Sequence, residues 1–156
     1  MYDSVTPDDI PFDADAVAGY VRGGDYDALV ARFPHAYHLS VSTDSSLDAD
    51  CLDIERGDAS LFDAPDWVRR QHARGLTRPC VYASQSDIPS VVDVLTKDGI
   101  KREEYRIWSA HWTGVPHIEP GCDATQYFNS EREDIDISLC ADDFFGACLL
   151  YTSRCV

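Results

Sequence analysis

The chain has 156 residues, 44% of them hydrophobic, which suits one soluble domain with a sizeable core and excludes a disordered segment. Against 13 Lys and Arg stand 28 Asp and Glu, a formal charge of −15 that repels nucleic acid and anionic membranes and argues against either as a partner. The excess is mostly aspartate, so a solvated surface group is the first reading of any one carboxylate, and a site needs several that converge.

Eight short β-rich runs follow in chain order: Met1–Thr6, Val17–Arg22, Ala36–Ser42, Cys51–Glu55, Cys80–Ser84, Tyr105–Trp112, Ala124–Phe128 and Ile135–Cys140. Several are continuously apolar rather than alternating, the pattern of strands buried on both faces, and parallel strands are expected. Three helical segments lie between them. The first runs from Asp25 to Phe33. The second starts at a potential cap, Asp63, with Pro65 in its first turn, and stops at Gly75. The third runs from about Asp87 to Lys97, carries Val91, Val92 and Leu95 on one face, and stops at Gly99. The other connections, such as 43–50 and 113–121, are too brief or too polar for full helices.

Strands alternating with helices predict an α/β fold, a compact (β/α)₈ TIM-type barrel with several helices shortened or missing. It is small for that fold, whose members typically run to about 250 residues. An open doubly wound sheet would need fewer strands. The barrel is assigned to residues 1–146. Residues 147–156 are read as a non-native tail, because their back-translation resembles a sequencing adapter; a genuine terminal strand or helix would instead use Leu149, Leu150 and Tyr151 as its apolar face.

The six cysteines are widely spaced and lack a histidine at ligand spacing, so neither a zinc site nor any other metal or cofactor is expected, and reduced buried thiols are. His35, His38, His111 and His117 read as packing or surface residues. No apolar run reaches membrane-span length, and a strand-like segment begins almost at Met1, which leads to the expectation of a cytoplasmic chain without a signal peptide or membrane insertion, working as a monomer.

Asp53 and Glu55 end the fourth run. Two residues apart on a strand, they project to the same side, at the strand end where barrel enzymes place their chemistry. As a string the pair carries little information. Asp3 in the first strand and Asp136 in the last add weight, because barrel closure makes those strands neighbours and lets four carboxylates converge on one mouth. Tyr20, Tyr82, Trp108, Gln126 and Tyr127 lie on strands near the same end, with Trp112 just beyond; such groups stack on sugar rings or bond their hydroxyl and acetamido groups. Four carboxylates could also bind Ca²⁺ or Mg²⁺, but no acidic loop has the ligand spacing.

Tyr2-Asp3-Ser4, Ala18-Gly19-Tyr20-Val21, Leu52-Asp53-Ile54-Glu55, Val81-Tyr82-Ala83-Ser84, Ile107-Trp108-Ser109-Ala110, Gln126-Tyr127 and Ile135-Asp136-Ile137-Ser138 together resemble glycoside hydrolase family 25, the Chalaropsis-type lysozymes, in a compact branch from actinobacteria and their phages. The likeness spans about residues 1–146. Thr125 stands where the family often has tryptophan, and Ser138 where it has asparagine. The resemblance implies hydrolysis of the β-1,4 bond between N-acetylmuramic acid and N-acetylglucosamine in peptidoglycan glycan strands. It implies Glu55 as general acid, Asp53 as its partner and stabiliser of positive charge, and Asp3 and Asp136 as positioning groups. Tyr20, Tyr82, Trp108, Gln126 and Tyr127 would bind substrate. An endolysin released to the wall at phage lysis fits these expectations; a carbohydrate-binding or phage structural module on the same barrel, without catalysis, is the alternative. A chitinase-like family 18 site would need another aspartate where Cys51 stands.

Overall fold

The computed structural model describes residues 1–23, 25–130 and 134–146; the proposed tail at 147–156 lies outside them. The eight expected strands form: β1 (Tyr2–Asp3), β2 (Ala16–Tyr20), β3 (Tyr37–Ser42), β4 (Cys51–Ile54), β5 (Cys80–Ser84), β6 (Arg106–Ala110), β7 (Ala124–Ser130) and β8 (Ile135–Cys140). They hydrogen-bond in sequence order and close into a barrel, β8 returning to β1. The three α-helices are α1 (Asp25–Arg32) after β2, α2 (Ala64–Ala73) after β4 and α3 (Ile88–Lys97) after β5. The architecture is thus a closed, eight-stranded mixed barrel with three helices.

One expectation is corrected. β1 to β7 are parallel to one another, but β8 runs antiparallel to both β7 and β1. Only residues 131–134 separate β7 from β8, whereas a parallel crossover takes a dozen or more, so these strands must form a hairpin. The reversal matters for function. Asp136, second in β8, pairs with Asp3 at the C-terminal end of β1; in a parallel β8 it would lie at the opposite end of the barrel.

Period-two alternation sorts side chains between two cores. Cys51, Cys80, Tyr82, Trp108 and Ala124 pack with Ala18, Leu39 and Val41 inside the barrel, and Phe144 joins them. Their neighbours Leu52, Ile54, Val81, Ala83 and Ile107 face outward onto Ala64, Trp67 and Val68 of α2 and Val91 and Leu95 of α3. Asp53 lies two residues beyond Cys51, so it belongs to the inward set. A smaller cluster of Ile10, Val17, Leu29 and Phe33 forms beneath α1. There Gly19 lets β2 and α1 approach closely: a Cβ would meet Leu29 Cδ1 at 3.3 Å, so that side chain would have to shift by a few tenths of an ångström.

Helix ends follow local chemistry with one difference. Asp63 occupies the cap position of α2, but its carboxylate accepts from the Ser60 N–H at 3.1 Å, not from a helix amide, and so closes the preceding turn. Gly75, at φ +100°, supplies the left-handed residue past the end of α2. Cys51, Cys80, Cys122 and Cys140 are free thiols. Among the described residues, no helix is long and apolar enough to cross a membrane.

Candidate functional site

All four carboxylates named from sequence come to the mouth formed by the C-terminal ends of the parallel strands. Asp3 ends β1, Asp53 is third in β4, Glu55 is the first residue beyond β4, and Asp136 arrives from the reversed β8. Gln126 of β7 joins two of them: its Nε2 donates to Asp3 Oδ2 at 2.9 Å and to Asp136 Oδ2 at 3.3 Å. Its Oε1 accepts from Tyr82 OH at 2.9 Å and from Trp112 Nε1 at 2.8 Å. An indole N–H only donates, which fixes the amide orientation and points both amide hydrogens at carboxylates. Tyr20, last in β2, donates to Asp53 Oδ2 at 3.0 Å.

The electrostatics set these acids apart. Burial, then the charge of Asp136, pushes Asp3 up to about 7 despite the Gln126 hydrogen bond. Burial, then the charge of Glu55, pushes Asp53 up to about 7. Asp136 rises to about 6 through burial and then the charges of Asp134 and Glu55. Partial burial, with Asp58 and Asp87 close by, also raises Glu55, which sits at the exposed rim. No arginine or lysine pairs with any of the four among the described residues. Asp123 is the contrast. Burial alone would raise it, but the Ile107 N–H, Arg102 and Arg78 hold it below the usual carboxylate range. Asp123 is held by two guanidinium groups; among the described residues the mouth carboxyls have no such partner, and the N-terminal ammonium is the one positive charge that lowers Asp3. One oxygen each of Asp3 and Asp53 is buried without a hydrogen-bond partner among the described residues.

A cavity of about 360 Å³ opens beside Asp3, Tyr20 and Asp136 and runs along Ser4, Asn129 and Asp134. No family model, curated protein or solved structure matches the chain. The local geometry therefore carries the functional argument.

Not every expected contact residue faces that space. Tyr82 and Trp108 are 6% and 2% exposed, with ring centroids 4.5 Å apart, and Trp108 Nε1 donates to Ser138 Oγ at 2.9 Å. They form the floor of the mouth instead of an open stacking surface. Tyr127 sits at a bulge in β7; no hydrogen bond among the described residues links its hydroxyl to the carboxylates. The open ring is Trp112, 60% exposed and tethered to Gln126.

Sequence reasoning also missed two groupings. Asp58 joins Asp53 and Glu55, one oxygen of each lying within 4.8 Å of the others, a set that could hold a cation. His111, His117 and Glu119 come equally close together on the β6–β7 loop. Read as packing or surface residues, these histidines instead converge on one carboxylate, and the spacing His-x₅-His-x-Glu was the available signal.

Proposed function

We propose that the chain is a glycoside hydrolase of the lysozyme type, acting on the N-acetylmuramic acid–N-acetylglucosamine β-1,4 bond of peptidoglycan from a compact (β/α)₈-type barrel. The observation that carries this reading is the convergence, at the end of the barrel where such enzymes keep their chemistry, of four carboxyls that no arginine or lysine among the described residues pairs with, three of them raised to between about 6 and about 7. The resemblance to glycoside hydrolase family 25 supports the substrate class.

In this mechanism Asp53 and Glu55 titrate as a pair. With one proton between them, Glu55 at the rim gives it to the glycosidic oxygen, and Asp53, anchored by Tyr20, faces the positive charge developing on the sugar or its acetamido group. Attack by the substrate's own acetamido oxygen is consistent with a carboxylate pair at the end of one strand. Asp3 and Asp136, tied through Gln126, orient the sugar or the incoming water.

The exposed position of Glu55 favours a second reading, in which the mouth binds glycan without cleaving it. Turbidity loss of purified cell walls separates the two. Hydrolysis predicts clearance by the wild type and its loss in Glu55→Gln; equal clearance by both overturns the role of Glu55, and binding of walls by both without clearance selects the binding module.

A further inference from the structure

We propose that His111, His117 and Glu119 form a binding site for a divalent transition metal of the zinc class, which locks the β6–β7 loop over the barrel mouth. The proposal is independent of wall hydrolysis. Glu119 Oε1 lies 2.5 Å from His111 Nδ1 and 2.9 Å from His117 Nε2. The ligating atoms of the three residues thus already stand within reach of one ion, and two imidazoles with one carboxylate make a donor set suited to zinc, with a position left for water.

The tautomer of His117 points the same way. Its Nδ1 lies 2.8 Å from the carbonyl oxygen of Val115. A carbonyl only accepts, so Nδ1 carries the hydrogen, and in the neutral ring Nε2 directs a lone pair at the carboxylate oxygen. Two lone pairs 2.9 Å apart repel unless positive charge lies between them. A second proton or a metal ion supplies it. An Nδ1–H held by a backbone carbonyl, with Nε2 free to ligate, is the outer arrangement that orients metal-bound histidines.

The loop is built to hold this geometry. The His111 N–H donates to Gln126 O at 3.0 Å, and the Glu119 N–H to Thr125 Oγ1 at 2.9 Å, so two of the ligands hang from β7. Thr125 is in turn held by Ser109 at 2.8 Å. Side-chain exposures of 44% for His111, 28% for His117 and 16% for Glu119 leave the ion an entry path. Trp112 follows His111 directly and bonds Gln126, so an ion held by His111 would also restrain the exposed indole at the mouth.

The test is titration of the chelator-treated full chain with Co²⁺ and Zn²⁺, read by absorption and calorimetry. The expected result is one equivalent bound, without the thiolate charge-transfer band that cysteine ligation produces, and a higher melting temperature with Zn²⁺. His117→Asn and Glu119→Gln should each weaken Zn²⁺ binding on the order of 100-fold and abolish the thermal shift. Glu119→Gln preserves the shape of the loop and serves alone if His117→Asn does not fold, as judged by circular dichroism. Unchanged affinity in Glu119→Gln, a thiolate band, or no uptake by the wild type would overturn the site; the last would leave a proton as the bridge.

Discussion

Asp53→Asn should stabilise the protein at neutral pH while removing a carboxyl from the mouth. Asp53 is 1% exposed, and its ionisation is raised from 3.8 to about 7 by burial and then by the charge of Glu55. Because the folded value lies above the unfolded one, the folded state binds more protons between the two. Stability from this group is therefore complete below 3.8 and is lost as pH rises through about 7. Each unit of difference corresponds to about 1.4 kcal/mol, so the carboxyl should cost the wild type at most about 3 kcal/mol between about pH 4.5 and pH 8. Asparagine has the same shape, keeps an acceptor for Tyr20, and does not ionise. Urea unfolding at the two pH values measures the effect: Asp53→Asn should gain on the wild type by up to that amount as pH rises. A gap that does not change with pH, or an asparagine variant less stable at pH 8, would rule out a buried Asp53 that ionises late.

Asp123→Asn should do the reverse, costing roughly 2–3 kcal/mol at neutral pH through its contacts with Arg78 and Arg102, because the two guanidinium groups lose their shared anion. Asp123 titrates below its unfolded value, so that loss should shrink as pH falls below 3.8, again read by urea unfolding. Gln126→Leu removes the acceptor of Tyr82 and Trp112 and the donor to Asp3 and Asp136; destabilisation of roughly 1–3 kcal/mol is expected, with a downward change in kcat, both measurable on the purified variant. Trp112→Ala should raise KM about five-fold, roughly 1 kcal/mol, and leave kcat nearly unchanged, the outcome for an exposed ring whose proposed task is to stack on sugar away from the carboxylates.

The barrel was legible because its strands alternate between two cores, and each run could be found from its own composition. Leu52 and Ile54 needed cover outside the barrel, and α2 and α3 provide it; Cys51 and Asp53 had to turn inward. The sense of β8 was not read from its residues, since strand direction is not a local property. It was encoded in the shortness of 131–134, which allows only a hairpin.

At the site, the carboxylates and Gln126 were legible from strand position and the resemblance. The tasks of Tyr82 and Trp108 were not. An aromatic at an inward position can line a floor or face a ligand, and depth in the barrel decides which. The convergence of His111 and His117 on Glu119 was not legible, because a loop has no periodicity from which to infer that its side chains meet.

Cleavage of glycan at the mouth is read from the identity of the new reducing ends released from purified peptidoglycan. Muramic acid ends are expected from the wild type and none from Glu55→Gln, with a rate that falls as pH rises through about 7, where Asp53 ionises. Walls that bind the protein and release no new reducing ends at any pH would contradict cleavage.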